Sequence, residues 1–121
     1  MGERVSIGSW WRGLLKSNQE LDAEELLAES AETGADPVQE IHRGELAHVR
    51  GVIKSVILRP EGSTPVFQAD VFDGSGTILV SWLGRRAVRG VTPARHIDVR
   101  GRVTESDGRR TICNPEYQLI G

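Results

Sequence analysis

The stretch VFQADVFDGSGTILVSWLG, residues 66–84, constrains this chain more than any other. Phe67, Ala69 and Val71 fall at every second position, and Ile78, Val80 and Trp82 repeat the pattern after a gap. That is the period of two half-buried strands. The gap is Asp73-Gly74-Ser75-Gly76. Its glycines reach positive φ without a side-chain clash, and the aspartate side chain bonds back onto its own backbone, so the two strands form a tight antiparallel hairpin.

The rest of the chain after Glu45 reads as strand and turn. Leu46 to Leu58 is a long run with Gly51 near its middle, where a missing side chain permits a bulge or a bend that lets one strand serve two sides of a sheet. Residues 60–65, PEGSTP, predict a loop. Gly84 to Ala94 is too short and too broken for more than a turn or one helical turn. From His96 to Glu105 the alternation returns, with Ile97, Val99, Gly101 and Val103 inward and His96, Asp98, Arg100 and Arg102 outward. Ser106-Asp107-Gly108 makes a second tight turn, and Arg109 to Ile120 forms the last strand, interrupted at Asn114-Pro115, which implies an edge or a ladder that has ended.

The first 44 residues have a different character. Trp10, Trp11, Leu14 and Leu15 recur at helical spacing behind Ser9, and a second helical segment, LDAEELLAESAETG, has Asp22 and Glu25 placed as a capping box and Gly34 to close it. Its apolar stripe, Leu21, Leu26 and Leu27, is narrow, so such a helix must lie on something else. The Trp/Leu cluster predicts either packing on the strand domain or a docking surface for a protein partner. Charge divides at the same place. Residues 1–44 balance to −5, and residues 45–121 balance to +3 with ten of eleven bases arginine. The expected organisation is an acidic helical extension over 1–44 and a β domain over 45–121.

Five strands, a long first strand with a central glycine, a DGxG hairpin and a short irregular link between the third and fourth strands describe a mainly β protein, the five-stranded Greek-key OB-fold barrel. The runs VRGVIKSV, FQADVFDGSGTILVSW and IDVRGRVTESDGRRTICNPEYQL resemble the OB-fold family that includes the RecG wedge domain and the tRNA-anticodon-type modules. The chain most resembles short stand-alone actinobacterial members, over nearly all of residues 20–121. Those members usually carry glycine where Ala94 stands here. The resemblance implies nucleic-acid binding and supplies no set of contact residues.

Single strands bind such a barrel on the face of its second and third strands, between the loops joining strands one to two and four to five. Phe72 and Gln68 are opposite in phase to Phe67, which puts them on that face, with Phe72 as the first stacking candidate. Trp82 shares the inward phase, and its place at a strand end leaves open an exposed edge. Arg59, Arg109 and Arg110 fall beside the flanking loops, and Arg85, Arg86 and Arg89 follow the third strand. Arg50 and Arg102, with Lys54 and Arg100, form a further basic stripe on strands one and four. The alternative for all of these is a solvated charged surface, partly paired with Asp70, Asp98, Glu105 and Asp107. Aromatic residues make up only 5% of the chain, so the expected binding to single-stranded or branched DNA or RNA is weak, salt-sensitive and sequence-tolerant.

Other classes find little support. His42, His48 and His96 are scattered and no metal motif is present, so no metal or cofactor is expected. No nucleophile, paired carboxylate or phosphate loop points to catalysis; Gly74-Ser75-Gly76 is a turn, with no helix after it. A single cysteine, Cys113, excludes an internal disulfide and is expected to be a buried thiol. No apolar run approaches the roughly 20 residues of a membrane span, and no secretory leader is evident, which predicts a cytoplasmic protein. The competing function is a protein-interaction module working through Trp10, Trp11, Leu14 and Leu15, with the barrel as scaffold.

Overall fold

The structure, a computed structural model, describes residues 22–121. The Trp10, Trp11, Leu14 and Leu15 cluster therefore lies outside the described residues. Helix α1 covers residues 22–32, and residue 22 is already helical. Gly34, at φ 78°, ends it, with the Gly34 and Ala35 N–H groups returning to the carbonyls of Ala31 and Ser30. A 3-10 turn at Val38–Glu40 leads to β1 (Leu46–Glu61), β2 (Thr64–Phe72), β3 (Thr77–Leu83), β4 (His96–Ser106), β5 (Arg109–Cys113) and β6 (Glu116–Ile120).

The sheet runs β1-β2-β3-β5-β4-β6, and a further β1–β4 pairing closes the first five strands into a ring. The β3–β5 pair is parallel; every other pairing is antiparallel. This is an OB-type barrel. β1 does the work of two strands: Leu46–Val52 pair with β4, and Val52–Glu61 pair with β2. Gly51 stands at the changeover, where a Cβ would lie 2.4 Å from the Phe72 carbonyl oxygen, so only glycine lets β2 approach. A bulge between Ile53 and Ser55 follows.

Inward-facing Val49, Ile53, Val71, Ile78, Val80, Ile97, Val99, Val103 and Ile112 fill the barrel. Each such side chain removed from water contributes about 1.5–3 kcal/mol. Val38 and Ile41 from the segment before β1, and Val88 and Val91 from the β3–β4 link, complete the core.

Three readings from sequence need correction. Residues 60–65 are not a loop, because the β1–β2 hairpin carries its ladder out to Glu61↔Thr64 and leaves only Gly62 and Ser63 to turn. The last strand is two strands, since Asn114 takes positive φ and Pro115 cannot donate, which offsets the β6 register from that of β5. Cys113 is exposed, because Ile112 takes the inward position and its neighbour must face out.

The hairpin turn is held by a fully buried carboxylate. Asp73 Oδ1 accepts the Ser75 N–H and hydroxyl, each at 2.8 Å, and the Gly76 N–H at 3.0 Å; Oδ2 accepts the Val38 N–H at 2.8 Å. One side chain thus closes the turn and fixes the segment that plugs the barrel. Helix α1 rests on the same turn: a Cβ at Gly74 would lie 2.2 Å from the Ala23 carbonyl oxygen.

Candidate nucleic-acid interface

Alternation along β2 gives Gln68, Asp70 and Phe72 the outward phase, although Gln68 is buried at 7% exposure, and the ladders bring Ile57 and Ser55 of β1 beside Gln68 and Asp70 on one side and the buried Ser81 and Leu79 of β3 on the other. A groove forms over these strands. It is lined by Ser55, Ile57, Arg59, Gln68, Asp70, Leu79 and Arg109, the last from the start of β5. Ile57 is 56% exposed, whereas Gln68 and Leu79 are buried, so Ile57 is the apolar side chain that the groove offers to water.

The two arginines on this surface are both engaged by carboxylates. Arg109 Nη2 donates to Asp70 Oδ1 at 2.7 Å, while the Ser55 hydroxyl donates to Asp70 Oδ2 at 3.0 Å. Arg59 Nη1 lies 3.4 Å from Asp107 Oδ2, linking the end of β1 to the β4–β5 turn. Side-chain exposure is 45% for Arg109, 31% for Asp70, 43% for Arg59 and 76% for Asp107. Pairs this open to water contribute at most about 1 kcal/mol each and exchange partners readily.

Phe72 shares the outward phase and is half-buried at the far end of β2. The Lys54 ammonium stands 5.4 Å from its ring centroid, within cation–π range. At the bulge in β1 Lys54 has no partner on β2, and Lys54 and Ser55 are both exposed in succession.

The remaining sequence candidates go elsewhere. Trp82 is 4% exposed and packs against Phe67 at 6.0 Å and edge-on to Tyr117 at 5.6 Å, so it is a core residue with no ring face to offer a base. Arg110 has the inward phase of Ile112 and donates to the carbonyls of Val38 at 2.5 Å and Ile41 at 3.0 Å; it fastens the barrel plug. Arg102 donates to the Gly44 carbonyl at 2.5 Å in the same way. Arg50 lies on the opposite surface, across from Asp98 in the β1–β4 ladder. Arg85, Arg86 and Arg89 are exposed on the β3–β4 link, and Arg86 lines a separate hollow with Leu58, Pro60, Gly62, Ser63 and Pro65. Of the arginines read from sequence, the groove collects Arg59 and Arg109. Ser55, Ile57 and Leu79 were not singled out by motif, although strand phase alone aligns them once the β1–β2–β3 register is known.

Among the described residues, no group of three His, Cys, Asp or Glu side chains is placed to hold a metal ion, and no helix is long and apolar enough to cross a membrane.

Fold and surface together define an OB-type barrel with an open groove over β1, β2 and β3. Neither a family model nor a curated protein matches the chain. Among solved structures, it is similar to part of RecG in the structure of RecG bound to a three-way DNA junction, with a TM-score of 0.56 and 20% identity, over 64% of this chain and 11% of that one. At that identity the likeness is one of fold, and the chain matches about a tenth of the length of the RecG chain.

Proposed function

We propose that this barrel is a nucleic-acid-binding module that holds single-stranded or branched DNA or RNA weakly, with little sequence preference, in the β1–β2–β3 groove. The observation that carries the reading is that Arg59 and Arg109 line one groove together with the exposed Ile57, over a floor that includes the buried Gln68 and Leu79. Guanidinium groups suit phosphates, and the exposed Ile57 side chain beside them suits a base. Lys54 and Phe72 extend the same surface toward the β2–β3 turn. The similar fold in RecG, a protein described in complex with a three-way DNA junction, supports including branched substrates.

Among the described residues Phe72 is the one aromatic ring with the outward phase of this face, and stacking contributes only about 1–3 kcal/mol per base, so electrostatics carries most of the affinity. With two or three phosphates contacted, log K falls against log salt with a slope of about −1.4 to −2.1 on a single strand. Fluorescence-anisotropy titration of labelled single-stranded DNA, single-stranded RNA and a three-way junction, at low and moderate salt, tests this. Saturable binding at low salt with that slope is the expected result. Absence of binding to all three at low salt rejects the proposal.

A further inference from the structure

We infer that Asp70 and Asp107 set the affinity of this groove by occupying the two guanidinium groups that would otherwise take phosphates. The inference rests on the nucleic-acid reading above and adds to it the residues that limit binding.

Arg109 meets Asp70 at 2.7 Å, and Arg59 meets Asp107 at 3.4 Å. Each arginine on the groove wall therefore has its own carboxylate, and the two pairs together are neutral. A polyanion entering the groove must replace a carboxylate at each guanidinium and then sit beside the displaced negative charge. Two opposing effects follow from removing those carboxylates. The guanidinium groups lose partners that hold them in place, which weakens binding; the phosphates lose a nearby like charge, which strengthens it. The exposure of both pairs decides between them. Side chains 43–45% exposed are held only loosely by such partners, so little preorganisation is lost, whereas the like-charge contact is removed outright.

Geometry makes the aspartates clean to test. Asparagine has the shape of aspartate and keeps an acceptor for the Ser55 hydroxyl at position 70. Asp107 has φ 52°, a left-handed conformation that asparagine tolerates as well as aspartate does. Neither side chain belongs to the barrel core.

The experiment compares wild type, Asp70→Asn/Asp107→Asn and a charge-matched control, Glu40→Gln/Glu116→Gln, whose substitutions lie on exposed residues off the groove. Titration with a single-stranded oligonucleotide at several salt concentrations gives affinity and salt slope, and thermal unfolding checks the fold. The double Asn variant should bind about tenfold more tightly than wild type with about the same salt slope, because the same guanidinium groups contact phosphate in both. The control should change affinity less than about twofold, as expected for screened, distant charge. Wild type binding with the Asn variant no tighter than the control overturns this inference and leaves the nucleic-acid reading standing. No binding by any of the proteins overturns both.

Discussion

Asp73 Oδ2 accepts the Val38 backbone N–H at 2.8 Å, joining the β2–β3 turn to the barrel plug across 35 positions of sequence. Its other oxygen takes three donors from the turn itself. Truncating this side chain leaves buried donors unpaired, each costing about 1–3 kcal/mol where water cannot reach it. Asp73→Ala should therefore lower the unfolding free energy by at least about 3 kcal/mol in urea denaturation, a loss too large for a surface turn residue.

Gly74 is the seat of helix α1. With φ 97° and a virtual Cβ 2.2 Å from the Ala23 carbonyl oxygen, alanine there strains the turn and pushes the helix off. Hydrogen exchange on Gly74→Ala should show residues 22–32 losing protection while the strands of the barrel keep theirs. Equal loss in both would mean that the helix is integral to barrel stability.

Ala94 takes φ 76° while its N–H donates to the Ile53 carbonyl at 2.8 Å, so the bond holds an L-residue in a left-handed conformation. That conformation costs roughly 1–2 kcal/mol. Glycine relieves it at an entropic cost of about 0.5–1 kcal/mol in the unfolded chain. Ala94→Gly should stabilise the protein by about 0.5–1 kcal/mol, measured as a higher urea midpoint with an unchanged slope.

Arg110 and Arg59 should behave differently. Arg110→Ala removes two charge-assisted hydrogen bonds to the plug and should cost about 2 kcal/mol of stability without weakening nucleic-acid binding. Arg59→Ala breaks only an exposed pair, so its stability cost should stay below about 1 kcal/mol while affinity falls. Unfolding curves and titrations on the same two variants separate the roles.

Much of the barrel was legible because its signals are local. The β2–β3 hairpin, the β1 bend at Gly51 and the inward phase of Ile97, Val99 and Val103 all follow from alternation and turn chemistry over a few residues. What escaped depends on closure of the ring. No local pattern tells that Asp73 reaches Val38, or that Arg59 meets Asp107 from 48 residues away. Partial pairing of the basic candidates with Asp70, Asp98, Glu105 and Asp107 is the alternative reading of the sequence; Arg109, Arg100 and Arg59 meet Asp70, Asp98 and Asp107, while Glu105 meets Arg43, and apart from the local Asp98–Arg100 contact these partners depend on tertiary register. Arg110 is instructive: next to outward Arg109, alternation turns it toward the barrel plug, a signal masked by reading Arg109 and Arg110 as one basic pair.

The central claim is that nucleic acid lies in the β1–β2–β3 groove, and chemical-shift mapping of amide resonances tests it most directly. Titrating a single-stranded oligonucleotide at low salt should shift Ser55, Ile57, Gln68, Asp70, Leu79 and Arg109, with Lys54 and Phe72 moving as the strand extends. Shifts confined to the opposite surface, around Arg50, Asp98 and Arg100, or no shifts at all, would contradict the account.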